Sequence, residues 1–180
     1  MKKILSLAIL ALLYNFAFSQ VDTTAIFHNA DSLLKLAKSV CLEKKYMESI
    51  DLYNQVIEMT KDVNDGVNYY YIKALAGLGS SHFSLKEYHK ALDYVMQSAE
   101  YYKKYITEDD SNYASKLNDI GVMYFYLGDY SNALKYYTMA FEIKEKIYTE
   151  YNNEFIQAFT NFGLTYLRME DYKNALKYFI

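Results

Sequence analysis

Three histidines and one cysteine are the residues of this sequence best suited to catalysis or metal binding. None of His28, His82, His89 and Cys41 has a further Cys, Asp or Glu at a spacing typical of a metal site. The sequence also contains neither an HExxH motif nor a glycine-rich phosphate loop. We therefore expect no catalytic residue, no metal, no cofactor and no enzymatic activity, and we interpret His82 and Cys41 as packing residues.

The tyrosines offer a second kind of chemistry, because aromatic rings can stack on the bases of single-stranded nucleic acid. They number 22, and some stand in the runs Tyr69-Tyr70-Tyr71, Tyr101-Tyr102 and Tyr136-Tyr137. The formal net charge is −3, however, whereas nucleic acids and anionic membrane surfaces select a basic stripe. We therefore expect no nucleic-acid partner, and we assign most tyrosines to packing between structural elements.

Several residue types recur along the chain at an interval of 42 residues. The interval relates Gly79, Gly121 and Gly163, then Ala91, Ala133 and Ala175, and also Tyr46, Tyr88, Tyr130 and Tyr172. Agreement in several independent registers excludes coincidence and indicates a tandem structural repeat. Since no Ser/Gly linker or change of composition interrupts the repeats, we expect them to form one domain.

One unit of the repeat, 114–147, is typical of two amphipathic helices joined by a tight turn. Its apolar residues recur every three or four positions, and Gly128-Asp129 separates the two runs. Two helices approach closely only where side chains are short, so Gly121 and Ala133 mark the crossing point. The pattern predicts helices over 26–43, 46–61, 68–85, 88–106, 112–127, 130–149 and 153–169, and from 172 onward.

This unit resembles the tetratricopeptide repeat, whose signature is Leu-Gly, then Tyr, then Ala, an aromatic residue and Ala. The matching positions are Leu117, Ile120-Gly121, Tyr124, Ala133, Tyr137 and Ala140. The usual unit has 34 residues, and the 42-residue step is similar to the longer repeat of kinesin light chains, with a lengthened second helix. The resemblance, which covers about residues 28 to 180, implies an all-α fold, an α-solenoid of about four tandem helix-turn-helix hairpins.

The first twenty residues differ from the repeats. Lys2 and Lys3 precede an apolar run from Ile4 to Leu13, and Ala17-Phe18-Ser19 is suited to signal peptidase cleavage. The run is shorter than the roughly 20 residues that span a bilayer. We therefore expect a cleaved signal peptide, no stable membrane insertion after cleavage, and export to the bacterial periplasm or the extracellular space.

The expected domains are a signal peptide at 1–19 and a tetratricopeptide repeat domain at 20–180. The repeats within it fall at about 30–71, 72–113, 114–155 and 156–180. The last repeat is truncated, which predicts that the chain is a fragment of a longer protein. Because a solenoid needs a terminal unit with a polar outer face, self-association through the open C-terminal repeat is a further expectation.

The resemblance also implies a concave groove lined by the first helix of each hairpin. The ligand-contacting positions of tetratricopeptide proteins are occupied here by Lys73, Phe83, Asn118, Val122, Phe125, Tyr126, Gln157, Asn161 and Arg168. We expect the amides of Asn118 and Asn161 to hold an extended peptide, with apolar pockets at Phe125 and Tyr126.

Two functions are compatible with such a groove. The first is a non-enzymatic protein–protein interaction scaffold that binds a peptide or a partner helix. The alternative is the N-terminal sensory or interaction module of a larger signalling protein, such as a sensor histidine kinase or a caspase-like peptidase. The sequence identifies a protein or peptide ligand in both cases and does not name it.

Overall fold

The structure, a computed structural model, describes residues 23–63, 69–108, 110–148 and 153–179, and the regular elements within these ranges are all α-helices. They are α1 (Thr23–Leu42), α2 (Tyr46–Thr60), α3 (Tyr69–Ser84), α4 (Tyr88–Tyr105), α5 (Ser111–Leu127), α6 (Tyr130–Ile147), α7 (Asn153–Arg168) and α8 (Tyr172–Phe179). The expected helices are confirmed to within a few residues. The predicted signal peptide lies outside the described residues, as does Ile180.

The helices pack in the order of the chain. α1 with α2, α3 with α4, α5 with α6, and α7 with α8 form four hairpins, and the second helix of each hairpin packs on the first helix of the next. α1 and α3 also contact each other directly, so the first helices lie on the inner side of the stack. This arrangement confirms the expected α-solenoid. None of the described helices combines the length and apolar composition needed to cross a membrane.

The four hairpin turns share one backbone conformation. Lys44, Lys86, Gly128 and Glu170, at 42-residue intervals, have φ values of 64°, 63°, 81° and 61°. In each turn the next residue's N–H bonds back to the helix, as where Asp129 N donates to Tyr124 O over 3.0 Å. A left-handed conformation costs a non-glycine residue about 1 kcal/mol or more, so helix packing imposes the turn on the two lysines and the glutamate.

The crossing point inside each hairpin lies where the glycine and alanine registers predict it. A Cβ atom added to Gly121 would lie 2.6 Å from Cδ1 of Tyr137 and 3.2 Å from the carbonyl oxygen of Ala133. A Cβ atom added to Gly79 would lie 2.4 Å from Cγ2 of Val95. The missing side chain therefore makes room for a large residue of the facing helix.

The junction between repeats two and three combines apolar packing with a buried polar network. Ser98 Oγ on α4 donates to Ile72 O over 3.0 Å and accepts from Lys116 Nζ over 3.0 Å. The Tyr102 hydroxyl donates to Asp110 Oδ2 over 2.6 Å, and Asp110 Oδ1 caps α5 by accepting from Tyr113 N over 2.8 Å. Burial, and the hydrogen bond to Asp110, raise the pKa of Tyr102 to about 12, so its hydroxyl stays a donor at neutral pH.

The junction between repeats three and four is aromatic. Phe141 on α6 packs on Phe155, Phe159 and Phe162 of α7, with ring centroids 5.5, 5.7 and 6.2 Å away. Phe162 also meets Tyr137 edge to face at 6.1 Å. Such contacts add to the energy of area burial. The two junctions therefore use the same helix arrangement with different side-chain chemistry.

Candidate binding groove

Asn118 and Asn161, the two amides expected to hold a ligand, are bonded to each other across repeats three and four. Asn161 Nδ2 donates to Asn118 Oδ1 over 2.8 Å. Asn118 is only 8% exposed, whereas Asn161 is half-buried. The bond fixes the spacing of α5 and α7 at the floor of the groove, and Asn161 is the more accessible of the two amides.

A cleft of about 160 Å³ opens beside this pair of amides. Its lining consists of Val122, Phe125, Tyr126, Tyr137, Asn161 and Leu164. Four of these, Val122, Phe125, Tyr126 and Asn161, are among the residues predicted from the sequence. The cleft is largely apolar with a few polar groups, and such an environment can accept an apolar side chain while an amide fixes its orientation.

Tyr137 reaches the cleft because Gly121 lacks a side chain. Its ring lies against Gly121, and the residue is almost fully buried. Burial raises the pKa of the Tyr137 hydroxyl, so it remains protonated over the physiological range. The register of Tyr137 in the repeat predicts a core position. Its second role, in lining the cleft, could not be predicted, because that role depends on how repeats three and four stack.

Tyr126 belongs to an aromatic patch, formed by Phe83, Tyr88, Phe125, Tyr126 and Tyr130, that joins repeats two and three. The Tyr126 ring meets Phe83 and Phe125 edge to face, with centroids 4.9 and 5.6 Å away, and lies 5.2 Å from the Tyr88 ring. Despite these contacts Tyr126 is 51% exposed. Its ring is therefore held in place by neighbours and open to a ligand.

The N-terminal part of the groove has a different character. A cleft of about 380 Å³ is lined by Asp31, Leu34, Lys35, Lys38, Tyr53, Lys73 and Gly77. Lys35 pairs with Asp31 over 2.6 Å, and the Lys73 ammonium lies 4.2 Å from the centroid of the Tyr69 ring. The predicted residue Lys73 thus lines this basic cleft and lies apart from the cleft between α5 and α7.

Asp119 lies on α5, three residues and hence about one helical turn before Val122, which lines the apolar cleft. Its side chain is exposed to water at the groove surface but crowded by the protein around it. This crowding raises the pKa of its carboxyl to about 6, although Lys116, the Asn118 amide and Lys144 all favour the ionised form. The pKa of Asp119 is raised because the surrounding protein leaves its carboxylate incompletely hydrated. Water on the exposed side of the side chain limits how far the pKa rises.

The remaining predicted residues lie outside the apolar cleft. Gln157 and Arg168 are exposed on α7, four residues before Asn161 and four residues after Leu164, and neither lines the cleft. Phe83 contributes only through its ring contact with Tyr126. The structure therefore divides the nine predicted residues among the apolar cleft, the basic cleft and their margins.

The histidine and cysteine side chains fit the packing roles expected for them. His82 is buried, stacked on Tyr94 with centroids 5.3 Å apart, and its Nδ1 lies 2.6 Å from Glu87 Oε2. Cys41 is half-buried and lies 3.8 Å from the Ser81 hydroxyl, which donates to its sulfur. No group of three or more His, Cys, Asp or Glu side chains able to hold a metal ion occurs in the described part of the chain.

Four stacked hairpins with a groove along their inner helices define an α-solenoid repeat protein. Residues 29–104 and 112–179 match the tetratricopeptide repeat, and the chain therefore belongs to the tetratricopeptide repeat family. This match confirms the resemblance found in the sequence. No curated protein matches the chain.

Solved structures with the same fold include proteins related to kinesin light chains. BtubC (BKLC) from P. vanneervenii has a TM-score of 0.75 at 17% identity, covering 83% of this chain and 59% of BtubC. A putative kinesin light chain with nearly identical TPR-like repeats from Podosopora anserina has a TM-score of 0.72 at 12% identity, covering 82% of this chain and 70% of that protein. The apo form of RapI has a TM-score of 0.75 at 19% identity, covering 92% of this chain and 45% of RapI. Identities this low show a common fold alone.

Proposed function

We propose that this protein is a non-enzymatic interaction scaffold whose groove binds a peptide or a partner helix. Membership of the tetratricopeptide repeat family supports a role in protein–protein interaction. The observation that carries the proposal is the cleft between α5 and α7, where an exposed aromatic ring and an accessible amide flank an apolar opening. An aromatic anchor beside a small pocket is typical of the residues that dominate binding energy.

Selection from a phage-displayed library of random dodecapeptides tests the proposal. We expect the selected peptides to bind the protein in fluorescence anisotropy and to bind the double variant Tyr126→Ala, Leu164→Ala at least about tenfold more weakly, because both side chains border the cleft. The matched control is Tyr105→Ala with Leu36→Ala, which removes exposed side chains of the same types that do not line the cleft. Equal affinity for both double variants would remove the groove assignment.

The alternative, a receiving module of a larger signalling protein, is supported by one observation. The chain matches only 45% of RapI and 59% of BtubC, so solenoids of this kind occur within longer proteins. An open reading frame that continues past residue 180 into a kinase or peptidase domain would support it. A stop codon directly after that residue would exclude it.

Export to the periplasm or the extracellular space is part of the proposal and rests on the sequence of 1–19. A mature protein that begins near Gln20 by mass spectrometry would support export, and retention of Met1 in the mature protein would contradict it.

Self-association is the last part of the proposal, supported by Leu176 and Phe179 on α8, which are more than half exposed. Light scattering that gives a monomer at all concentrations would contradict it.

A further inference from the structure

Asp119 is a carboxylate on the inner helix α5, where the Asn118 amide and the charges of Lys116 and Lys144 act on it. No ion pair joins it to another described residue, and it is exposed on the inner helix α5. Lys116, one turn earlier, is turned toward α4, because its Nζ donates to Ser98 Oγ over 3.0 Å and lies 5.3 Å from the Tyr102 ring centroid. Asp119 therefore faces the groove with no cation in direct contact.

The protein around the Asp119 carboxylate disfavours its charged form. Crowding holds its pKa near 6 in the folded protein, above the usual value of a free aspartate. A group whose folded-state pKa is raised stabilises the fold below its unfolded pKa, and this contribution is lost as the pH rises through about 6. A carboxylate near a cleft whose surroundings disfavour its charged form is a candidate functional group, because a cationic ligand would supply the interaction that water and the protein do not.

The position of Asp119 relative to the apolar cleft defines a composite site. On α5 it precedes Val122 by one turn and Tyr126 by two turns, a rise of about 10 Å. The Asp119 charge also acts on the Tyr137 hydroxyl, which places it close to the lining of the cleft. An extended peptide rises about 3.3 Å per residue, so about three residues of ligand cover the distance from Asp119 to the far side of the cleft.

We propose that the groove selects a peptide segment in which a Lys or Arg lies within about three residues of a bulky apolar residue. Asp119 receives the cation, and the cleft lined by Val122, Tyr126 and Leu164 receives the apolar side chain. This inference rests on the proposed function and names the ligand class of the same groove. The basic cleft around Lys38 and Lys73, in the N-terminal part of the groove, would disfavour a second cation there.

The test uses the dodecapeptide library with the wild-type chain and with Asp119→Asn. We expect the wild type to enrich peptides with Lys or Arg near an aromatic or aliphatic residue, and Asp119→Asn to retain only the apolar preference. In the best peptide, replacement of the cationic residue by norleucine should weaken binding to the wild type about tenfold and to Asp119→Asn less than about twofold. Asp51→Asn, which removes an exposed carboxylate of α2, is the matched control and should behave as the wild type.

Measuring peptide affinity as a function of pH separates the contribution of the Asp119 charge from that of the shape of the site. Affinity for the cationic peptide should fall severalfold from pH 8 to pH 5 as Asp119 is protonated, while affinity for the norleucine peptide stays constant. The groups that act on its charge are Lys116, the Asn118 amide and Lys144. The His82 ring contacts Glu87 and Tyr94.

The outcomes distinguish this inference from the function on which it rests. An equal effect of norleucine on the wild type and on Asp119→Asn, or enrichment of acidic peptides, would overturn the inference and leave the groove function in place. Failure to select any peptide that depends on Tyr126 and Leu164 would overturn both. Folding of Asp119→Asn is checked by its melting temperature, which should equal the wild-type value at pH 4 and equal or exceed it at pH 8.

Discussion

The junction between repeats two and three and the junction between repeats three and four show how one backbone arrangement accepts different chemistry. In the first, Lys116, Ser98, Tyr102 and Asp110 form polar contacts within an apolar surround. In the second, Phe141 and Phe162 form an aromatic cluster with their neighbours. The helix packing therefore recurs every 42 residues, while the side chains at each junction differ. We expect the two junctions to respond differently to pH and to mutation.

The largest effect is expected at the aromatic junction. Phe162→Ala should lower the free energy of unfolding by about 4 kcal/mol, because it leaves a cavity where a buried ring contacts Phe141 and Tyr178. Each unit of a solenoid contacts only its neighbours, so the loss should concentrate in α7 and α8. Hydrogen exchange would show faster exchange there than in α3 and α4.

The matched control for this variant is Leu164→Ala, on the same helix but 42% exposed. Its loss of stability should stay within about 1 kcal/mol. A uniform gain in exchange over all described helices of Phe162→Ala would show that the solenoid unfolds as one unit and would contradict the local character of the junction.

An intermediate effect is expected at the polar junction. Tyr102→Phe removes a hydrogen bond to a carboxylate and should cost about 2 kcal/mol at pH 7. Burial alone would raise the pKa of Asp110, but the hydrogen bonds from Tyr102 and the Tyr113 N–H outweigh it and lower that pKa. The stabilisation is therefore present above the unfolded pKa of about 3.9 and is lost as the pH falls through the folded value.

Urea denaturation at several pH values measures this dependence. The difference between the wild type and Tyr102→Phe should shrink as the pH falls below about 4. Phe162→Ala offers the comparison, since no carboxylate is among its ring contacts and its deficit should not follow the protonation of Asp110. A constant deficit for Tyr102→Phe down to pH 2 would refute the assignment of this pH dependence to Asp110.

The smallest effect is expected for Lys116→Met. Burial at the junction lowers the pKa of Lys116, because it disfavours the charged ammonium. An apolar side chain of similar length should therefore change stability by less than about 1 kcal/mol, in either direction. Lys116→Ala should cost more, because it also removes the apolar stem that packs near Tyr102. A loss of stability for Lys116→Met as large as that for Lys116→Ala would mean that the charge itself holds the junction.

Most of the fold could be predicted from the sequence, because small and large residues recur at the same positions in each repeat and so indicate the same helix packing several times. Gly121 and Ala133 define the crossing inside a hairpin, and the structure places both there. The positive φ values at Lys44, Lys86 and Glu170 could not be predicted from residue type, since only Gly128 carries the expected side chain. Comparison of the turns at the 42-residue interval was the signal that could have found them.

The groove was predictable only in part. Val122, Phe125, Tyr126 and Asn161 were placed by position within the repeat, and they do share one cleft. The bond between Asn118 and Asn161, the second role of Tyr137 and the network around Ser98 each join residues from two repeats or two helices. Such contacts depend on the rotation from one hairpin to the next, which a pattern within one repeat does not contain. The roles of these residues in binding remain predictions.

The common conformation of the four turns has a consequence for any ligand that lies along the groove. The four turn residues have a positive φ at the same register, and packed helices are separated by about 8–10 Å. An extended chain covers that distance in about three residues. A ligand that crosses the inner helices, instead of following α5, should therefore present side chains to equivalent positions of successive inner helices at about every third residue.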